Sequence, residues 1–300
     1  MRPIRVLSVI FIISILIRML FGILVLGLDA PPAGDAVVYD QIARNIIYEG
    51  SYVQYSGLGI RYSHRPPLLP FMLAAVYSIS GYSLTSSRIF MIVLGSLIPV
   101  VLFFLTNSVF GRRPAIVAGF VAAFHPFFVL YSNMLLTETP FIFLVILLLF
   151  CLIRYVGTRK MLDIVVSGIV AGLACLCRPT LLAFVPVCVL WLLIIGRRRL
   201  RLSAKAAIIF IIVTAAVIAP WTIRNYKVHG DFLLISSMGG LSLWLGNNQW
   251  AQGNIGVEYL ELMKHRPDPG TANEVEQDRF YRQEAHRYIR EQPKRFIVVG

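Results

Sequence analysis

Long apolar runs are the feature of this chain that most limits what it can fold into. Seven runs are long enough to cross a bilayer, at about 20 residues each. They occupy 6–28, 89–110, 114–133, 139–156, 161–177, 179–196 and 206–222. Because lipid offers backbone groups no hydrogen-bond partners, such segments cross as α-helices. A mean hydropathy of +0.74 and 57% hydrophobic residues agree with several spans, so the sequence predicts an all-α polytopic membrane protein.

An eighth apolar run, 67–80, is about 14 residues long and is predicted to be re-entrant or interfacial because it is too short to cross. Without it as a span, all the basic loops fall on one side of the membrane, which the positive-inside rule makes cytoplasmic. These loops contain Arg2/Arg5, Arg112/Arg113, Arg154/Arg159/Lys160 and Arg197/Arg198/Arg199/Arg201/Lys205. We therefore expect a multi-pass cell-membrane protein with a cytoplasmic amino terminus. The net charge of +13 then reflects these loops and not a nucleic-acid partner.

The predicted organisation is a transmembrane region over 1–222, with about seven spans, followed by an outer-face loop over 223–295. The first outer loop, 29–88, is predicted to carry interfacial helices. In the second loop, Thr271 and Glu274 have the spacing of a capping box that opens an amphipathic helix. Residues 296–300 resemble the start of a further span, which predicts a truncated or shortened chain.

The first outer loop has the pattern of an amphipathic helix directly after the acid Asp35. Apolar residues between 38 and 47 form one stripe, polar residues including Asp40 and Asn45 form the other, and Gly50 ends the pattern. Such a helix lies flat on the membrane and holds Asp35 near the lipid headgroups. Asp35 is then either the helix N-cap or a functional acid.

Five motifs follow one another along the chain. They are Gly34-Asp35-x-x-x-Tyr39-Asp40-x-x-Ala43-Arg44-Asn45, Arg65-Pro66-Pro67-Leu68-x-Pro70, Arg88 at the start of a span, Leu136-Thr137-Glu138, and Pro220-Trp221-Thr222-Ile223-Arg224-Asn225-Tyr226. In their order and predicted sidedness they resemble the GT-C membrane glycosyltransferases, in particular the branch of dolichyl-phosphate-mannose protein mannosyltransferases and lipid A aminoarabinose transferases. The resemblance implies a GT-C-like transmembrane helical bundle, with 1–222 as its catalytic region.

Members of that family take a sugar from a polyprenyl-phosphate carrier and pass it, with inversion, to an acceptor on the outer face. The resemblance implies that Asp35 is the general base for the acceptor hydroxyl and that Glu138 is a second catalytic acid. Thr137-Glu138 equally fits an ordinary helix start. The two acids could share a divalent cation through oxygen ligands, which neither the spacing nor the family requires.

The leaving carrier phosphate needs fixed cationic donors, which guanidinium groups supply in bidentate geometry. By resemblance Arg65 contacts this phosphate, with Arg61 and His64 beside it and Arg224 as a further candidate. The alternative is that these arginines are anchors in the headgroup region. Arg178, at another predicted outer span edge, has the same two interpretations.

Aromatic and amide side chains supply candidates for binding the sugar or the acceptor. Residues 239–250 resemble the Gly-Gly-x-x-Leu-Trp-x-Gly-Asn-Asn segment of the same branch. Stacking and directional hydrogen bonds make Trp244, Asn247 and Asn248 candidates, and Tyr39 and Asp40 join them from the first loop. A belt of tryptophan at the membrane edge is the competing explanation.

The expected partners are a polyprenyl-phosphate sugar donor, the lipid bilayer, and a protein, lipid or glycan acceptor. The rival class is a transporter or flippase for a lipid-linked or small solute, which would place ionisable residues near the bilayer midplane and show internal repeats. The acids and most of the candidate arginines fall at the outer edge, apart from Arg18 within the first span. A noncatalytic assembly subunit is a third interpretation.

Overall fold

The computed structural model describes residues 3–56, 59–195, 200–253, 255–271 and 273–299. The described helices are α1 (Pro3–Phe21, followed by a π-helical turn, Gly22–Leu26), α2 (Asp35–Tyr48), α3 (Leu68–Ser80), α4 (Leu84–Phe110), α5 (Arg112–Phe124), α6 (Pro126–Tyr131), α7 (Glu138–Thr158), α8 (Met161–Cys177), α9 (Val185–Ile195, after a 3₁₀ turn, Pro179–Ala183), α10 (Leu200–His229), α11 (Gly239–Gly246), α12 (Ile255–Lys264), α13 (Glu274–Glu291) and α14 (Pro293–Val299). Strands β1 (Gln54–Ser56) and β2 (Gly59–Arg61) form an antiparallel pair. The predicted all-α class is confirmed.

The chain divides into two compact units. The first unit comprises Met1–Tyr52 and Pro66–Pro220, and the second comprises Val53–Arg65 and Trp221–Gly300. The predicted first outer loop, 29–88, is thus shared between the units, because its β1–β2 segment belongs with the polar carboxyl-terminal part of the chain. The arginines at 197–199 in the predicted basic loop, and residue 300 of the predicted further span, lie outside the described residues.

Four described helices are long and apolar enough to cross a membrane: Arg5–Leu26, Leu84–Phe110, Glu138–Thr158 and Arg201–His229. Leu68–Ser80, Met161–Cys177 and Pro179–Ile195 are apolar but shorter. The chain is therefore a multi-pass membrane protein. The count of about seven spans stays a prediction.

The run expected to form one span over 114–133 is broken in the structure. Helix α5 ends at Phe124, His125 has an extended backbone (φ −60°, ψ 118°), and α6 begins at Pro126. Proline has no N–H group, and its ring disfavours a helical conformation in the residue before it. The break leaves the backbone oxygen of Ala123 to accept a hydrogen bond from Nη1 of the fully buried Arg18, at 3.1 Å.

Two apolar clusters hold the first unit together. One joins α1, α4 and α5 through Val6, Ile10, Phe103 and Ala115. The other joins α2, α3 and α4 to the segment before α7 through Ala36, Tyr39, Ala43, Leu69, Leu73, Ala74, Tyr77, Met91 and Leu135. The second cluster contains the neighbours of both predicted acids, since Ala36 follows Asp35 and Leu135 shortly precedes Glu138.

The second unit packs α11 against α12 and α13. Its core consists of Leu241, Trp244, Leu245, Leu262, Tyr281 and Ala285. Gly240 permits the close approach of α11 to α13, because a Cβ there would lie 1.9 Å from the backbone oxygen of Asp278. Helix packing thus explains why the second residue of the Gly239-Gly240 pair is glycine.

Candidate active site

Asp35 is the first residue of α2, and its side chain is exposed. The cap position before it is Gly34, with φ +58°, a left-handed conformation that glycine adopts without steric cost. Asp35 therefore lies inside the first helical turn and not at the cap position, where the sequence allowed it.

Arg88, in the first turns of α4, connects the segments that precede both acids. Its Nη1 donates to the backbone oxygen of Leu28 at 2.6 Å, and its Nη2 donates to that of Ala30 at 2.5 Å. Its Nε donates to the backbone oxygen of Asn133 at 3.3 Å. One buried guanidinium thus binds the chain before Asp35 and the chain before Glu138.

Asp40 and Tyr39 are part of the packed interior. Asp40 was expected on the polar stripe of α2, but it is 1% exposed and accepts hydrogen bonds from Tyr77 Oη at 2.6 Å and Arg44 Nε at 3.0 Å. Asn45, expected on the same stripe, is also buried. The stripe prediction is wrong at these two positions, and at Asp40 the reason is that Tyr77 of α3 packs there and provides a polar partner. Tyr39 lies in the apolar cluster.

Glu138 begins α7 and pairs with Arg178, which follows α8. Arg178 Nη2 lies 2.8 Å from Glu138 Oε1, and Arg178 Nε donates to Thr137 Oγ1 at 2.9 Å. The other carboxylate oxygen, Oε2, is buried and has no hydrogen-bond partner among the described residues. A buried acceptor without a partner is costly, so this oxygen is suited to a polar group of a ligand.

The described residues contain no group of three or more histidine, cysteine, aspartate or glutamate side chains arranged to hold a metal ion. Asp35 and Glu138 would supply carboxylate oxygens to a shared cation, but most of the six to eight oxygen ligands of calcium, for example, would have to come from elsewhere. Within the described part of the chain, the side chains therefore do not form a complete protein cage for a cation.

In the second unit, Ser63 is the centre of a hydrogen-bond network that fixes the segment bearing Arg61, His64 and Arg65. Its Oγ donates to Asn225 Oδ1 at 2.8 Å and accepts from Arg224 Nη1 at 2.8 Å. Arg224 Nη1 also lies 2.7 Å from the backbone oxygen of Tyr62. Together these contacts attach the segment to the end of α10.

Glu274, the first residue of α13, holds the same segment from its other side. The buried carboxylate accepts from the backbone N–H of Tyr62, from that of Ser63 at 3.2 Å, and from Ser237 Oγ at 2.7 Å. The expected capping box from Thr271 to Glu274 is wrong, because Asn273 is the N-cap and accepts from Val275 N at 2.9 Å. Glu274 is thereby available for the distant β2 segment.

Positive charge is concentrated around this fixed segment. Arg61 Nη1 donates to Gln277 Oε1 at 2.6 Å, and the guanidinium of Arg224 lies 4.7 Å from the centre of the Trp221 ring. Burial, together with the charges of Arg65 and Arg61, lowers the pKa of His64 to about 3. His64 is thus neutral at pH 7.

Trp244, Asn247 and Asn248 make hydrogen bonds and contacts within the second unit. Trp244 is buried in its core, and Asn247 Nδ2 donates to the backbone oxygen of Leu243 at 2.9 Å. Asn248 Oδ1 accepts from the N–H groups of Trp250 and Ala251 at 2.8 and 3.0 Å. These amides shape the loop after α11, and their direct role in binding a sugar stays a prediction.

A family model described as dolichyl-phosphate-mannose-protein mannosyltransferase matches residues 64–223, more than half of the chain. The chain belongs to this family. The matched region of this mannosyltransferase-family protein includes His64, Arg65, Arg88, Glu138 and Arg178. Asp35 and the segment 239–250 lie outside it. A comparison with curated proteins gives no match.

Solved structures similar to this mannosyltransferase-family chain include two of the Archaeoglobus fulgidus oligosaccharyltransferase. The complex with Zn and sulfate has a TM-score of 0.64 at 20% identity and covers 77% of this chain and 32% of that one. The form tethered to an acceptor peptide containing the NVT sequon has a TM-score of 0.63 at 20% identity, over 78% and 31%. The predicted GT-C-like fold is confirmed, and the chain spans about a third of the length of these structures.

Several residues of this family member position the acids and the basic segment, and little or nothing in the sequence indicated their roles. Ser63 carried no signal, and Glu274 was interpreted only as part of a capping box, because the contact between these two residues joins positions 211 apart in the sequence. Arg178 stood next to a proline at a predicted span edge, which was the one available indication of its pairing with Glu138. Arg88 was visible as an arginine opening a span.

Proposed function

We propose that this chain carries the catalytic part of an inverting glycosyltransferase. It moves a sugar from a polyprenyl-phosphate carrier to an acceptor hydroxyl on the outer face of the membrane. Membership of the mannosyltransferase family, matched over 64–223, is the observation that carries the proposal. The geometry of the acids and of the basic segment supports it.

Asp35 accepts the proton of the attacking hydroxyl in this mechanism. Its exposed side chain at the start of α2 is accessible to an acceptor hydroxyl, as a general base requires. Glu138, oriented by Arg178 at 2.8 Å, offers its buried Oε2 to a hydroxyl of the bound substrate. The two acids thus have different roles, because one is exposed and the other is held by an ion pair.

The carrier phosphate develops negative charge as the bond to the sugar breaks. Arg65 stabilises this charge, and Arg61 and Arg224 add to the positive potential of the same unit. The segment is fixed beforehand by Ser63, Asn225 and Glu274, so little reorganisation is needed during the reaction. His64 contributes a neutral imidazole, since its pKa is lowered to about 3.

The experiment that tests the proposal incubates the purified protein in nanodiscs with a panel of polyprenyl-phosphate sugars and measures both carrier release and sugar transfer. We expect turnover with at least one donor, and we expect Asp35→Asn to reduce it by about 10²–10⁴-fold while binding the donor normally. Asp268→Asn, at an exposed acid of the second unit, is the matched control and keeps full activity. Donor binding without turnover by the wild-type protein would favour a transporter or assembly subunit instead.

A further inference from the structure

The second unit contains a cavity that borders the predicted sugar-binding residues Trp244, Asn247 and Asn248. It has a volume of about 290 Å³ and lies between the loop after α11 and one face of α13. Its lining includes Trp250, His265, Glu284, Arg287, Tyr288 and Glu291. Cavities that bind small molecules start at about 300 Å³, so this one is near the lower limit and has room for a single small ring.

The aromatic wall of the cavity is the Trp250 indole, stacked on the His265 imidazole. The ring centres are 4.5 Å apart and the planes are inclined by 8°. Trp250 remains 37% exposed. An indole supported on one side and accessible elsewhere offers a flat apolar surface for the C–H groups of a sugar ring.

The polar wall is the face of α13 that carries Glu284, Arg287, Tyr288 and Glu291. Their spacing of three, four and seven residues places them on one side of the helix. Tyr288 Oη is buried and has no hydrogen-bond partner among the described residues. A buried hydroxyl without a partner is rare in folded proteins and points to an absent ligand or water.

The charges of this wall select against anions. Arg287 is the cation of the α13 face, and it already forms an ion pair with Glu284. Glu291 adds a second carboxylate, which accepts hydrogen bonds from hydroxyl groups and repels phosphate. A neutral ligand rich in hydroxyls fits these side chains, whereas a carrier phosphate does not.

The loop that presents Trp250 is fixed from two directions. Asn248 Oδ1 accepts from the backbone N–H groups of Trp250 and Ala251. Arg295, in α14, donates to the backbone oxygens of Gln249 at 2.9 Å and Ala251 at 3.1 Å. A site held in place before binding loses less entropy when the ligand arrives.

We propose that this cavity binds a neutral pyranose ring. The ring stacks on Trp250 and its hydroxyls reach Tyr288 and Glu291. The inference rests on the proposed glycosyltransferase function for the source of the ring, which is either a glycan acceptor or the sugar of the lipid-linked donor. The recognition chemistry is the same in both cases.

The test measures binding and not catalysis. The full chain in nanodiscs is titrated with methyl glycosides of mannose, glucose and galactose, and contact is followed by saturation-transfer NMR. We expect saturable binding of at least one glycoside, weakened about threefold to tenfold by Trp250→Ala. Phe232→Ala, at an exposed aromatic of the same unit that does not line the cavity, leaves binding within about twofold.

Tyr288→Phe removes one oxygen and keeps the packing, so it tests the site even if Trp250→Ala fails to fold. Displacement of the glycoside by a polyprenyl-phosphate sugar identifies the donor as the source, and simultaneous binding identifies the acceptor. Binding retained in Asp35→Asn separates this site from the base, so absent turnover would not count against the cavity. The proposal would be overturned if the wild type bound no glycoside, or if Tyr288→Phe and Trp250→Ala both bound it as tightly as the wild type does. Binding of a serine-containing peptide in place of the sugars would also overturn it.

Discussion

At the scale of single residues, the arginines of this chain have distinct roles that their charge alone does not reveal. Arg18 satisfies a backbone oxygen exposed by a helix break, Arg178 orients a carboxylate, and Arg224 fixes a loop. Arg178 and Arg88 use several nitrogens of the planar guanidinium fork, which ammonium lacks, whereas Arg18 and Arg224 donate from Nη1. Exchange of arginine for lysine is therefore the most informative substitution in this protein.

At Arg65, substitution by lysine and by alanine tests whether the side chain contacts the carrier phosphate. If it contacts the carrier phosphate by two hydrogen bonds, Arg65→Ala loses about 1.5–3 kcal/mol of interaction, which is about tenfold to a hundredfold in transfer efficiency. Arg65→Lys falls between, since it keeps the charge and loses the planar geometry. Transfer is measured per folded molecule, and unchanged specific activity in Arg65→Ala would exclude Arg65 from the site.

Arg88 is expected to act through the position of the acids. Arg88→Lys replaces three nitrogens spread over a plane with one nitrogen, which cannot reach the three separate backbone oxygens, so the segments before Asp35 and Glu138 lose their common support. We expect kcat to fall about tenfold or more while the KM for the donor stays within about twofold, as for a loss confined to the transition state. Steady-state kinetics with the active donor measure both.

The matched control for Arg88 is Arg154→Lys, because Arg154 lies 3.2 Å from Asp163 at the opposite end of the helix that Glu138 begins. It should keep kcat and KM. A rise in KM with unchanged kcat in Arg88→Lys would mean that Arg88 serves donor binding and not the placement of the acids.

At the scale of elements, α8 and α10 pack through small residues. A Cβ at Gly172 would lie 2.6 Å from the Cβ of Val217 and 3.0 Å from the backbone oxygen of Thr214. Gly168, one turn earlier, contacts Val213 in the same way. In lipid there is no hydrophobic driving force that brings apolar helices together. Close backbone approach, with its van der Waals contacts, is therefore a main source of helix association.

Gly172→Ala should therefore destabilise the protein by about 1–3 kcal/mol, because the added methyl group separates the two helices. Gly157→Ala is the control, since a Cβ there meets nothing within 4 Å, and alanine in a helix is slightly favourable. Thermal unfolding of both variants in detergent, followed by intrinsic fluorescence, makes the comparison. Equal stability of the two variants would argue against close α8–α10 packing in the membrane.

Helix α13 is the element whose role in the structure differs most from the role that the sequence predicted. Its amphipathic pattern indicated a supporting helix before a further span. In the structure its first residue, Glu274, binds the β2 segment, and its later turns form one wall of the cavity. A helix with a strongly polar composition is thus used along its length for contacts within the second unit.

At the scale of the whole molecule, the predicted orientation places 223–295 outside the cell and the loop after α7 inside. A cysteine at Gln283, exposed on α13, should react with an impermeant maleimide in intact cells. A cysteine at Gly157 should react only after permeabilisation. The native cysteines, Cys151, Cys175, Cys177 and Cys188, are all buried and give little background. Labelling of Gly157→Cys in intact cells would reverse the orientation.

The sequence by itself determined the helical class, the apolar segments and the family resemblance. These follow from hydropathy, from runs about as long as a bilayer is thick, and from short motifs, all of which are local properties. It also located Asp35, Arg65 and Glu138 as candidates, because acids and arginines beside apolar segments stand out.

Tertiary structure alone decided what these groups contact. The burial of Asp40 depends on α3, the pairing of Glu138 depends on Arg178 forty residues later, and the placement of the Arg65 segment depends on Asn225 and Glu274. Local patterns carry no information about such contacts, since they arise when distant segments pack and each buried polar group must find a partner. The same reason explains why the cavity beside Trp250 became visible only when the loop and α13 were seen together.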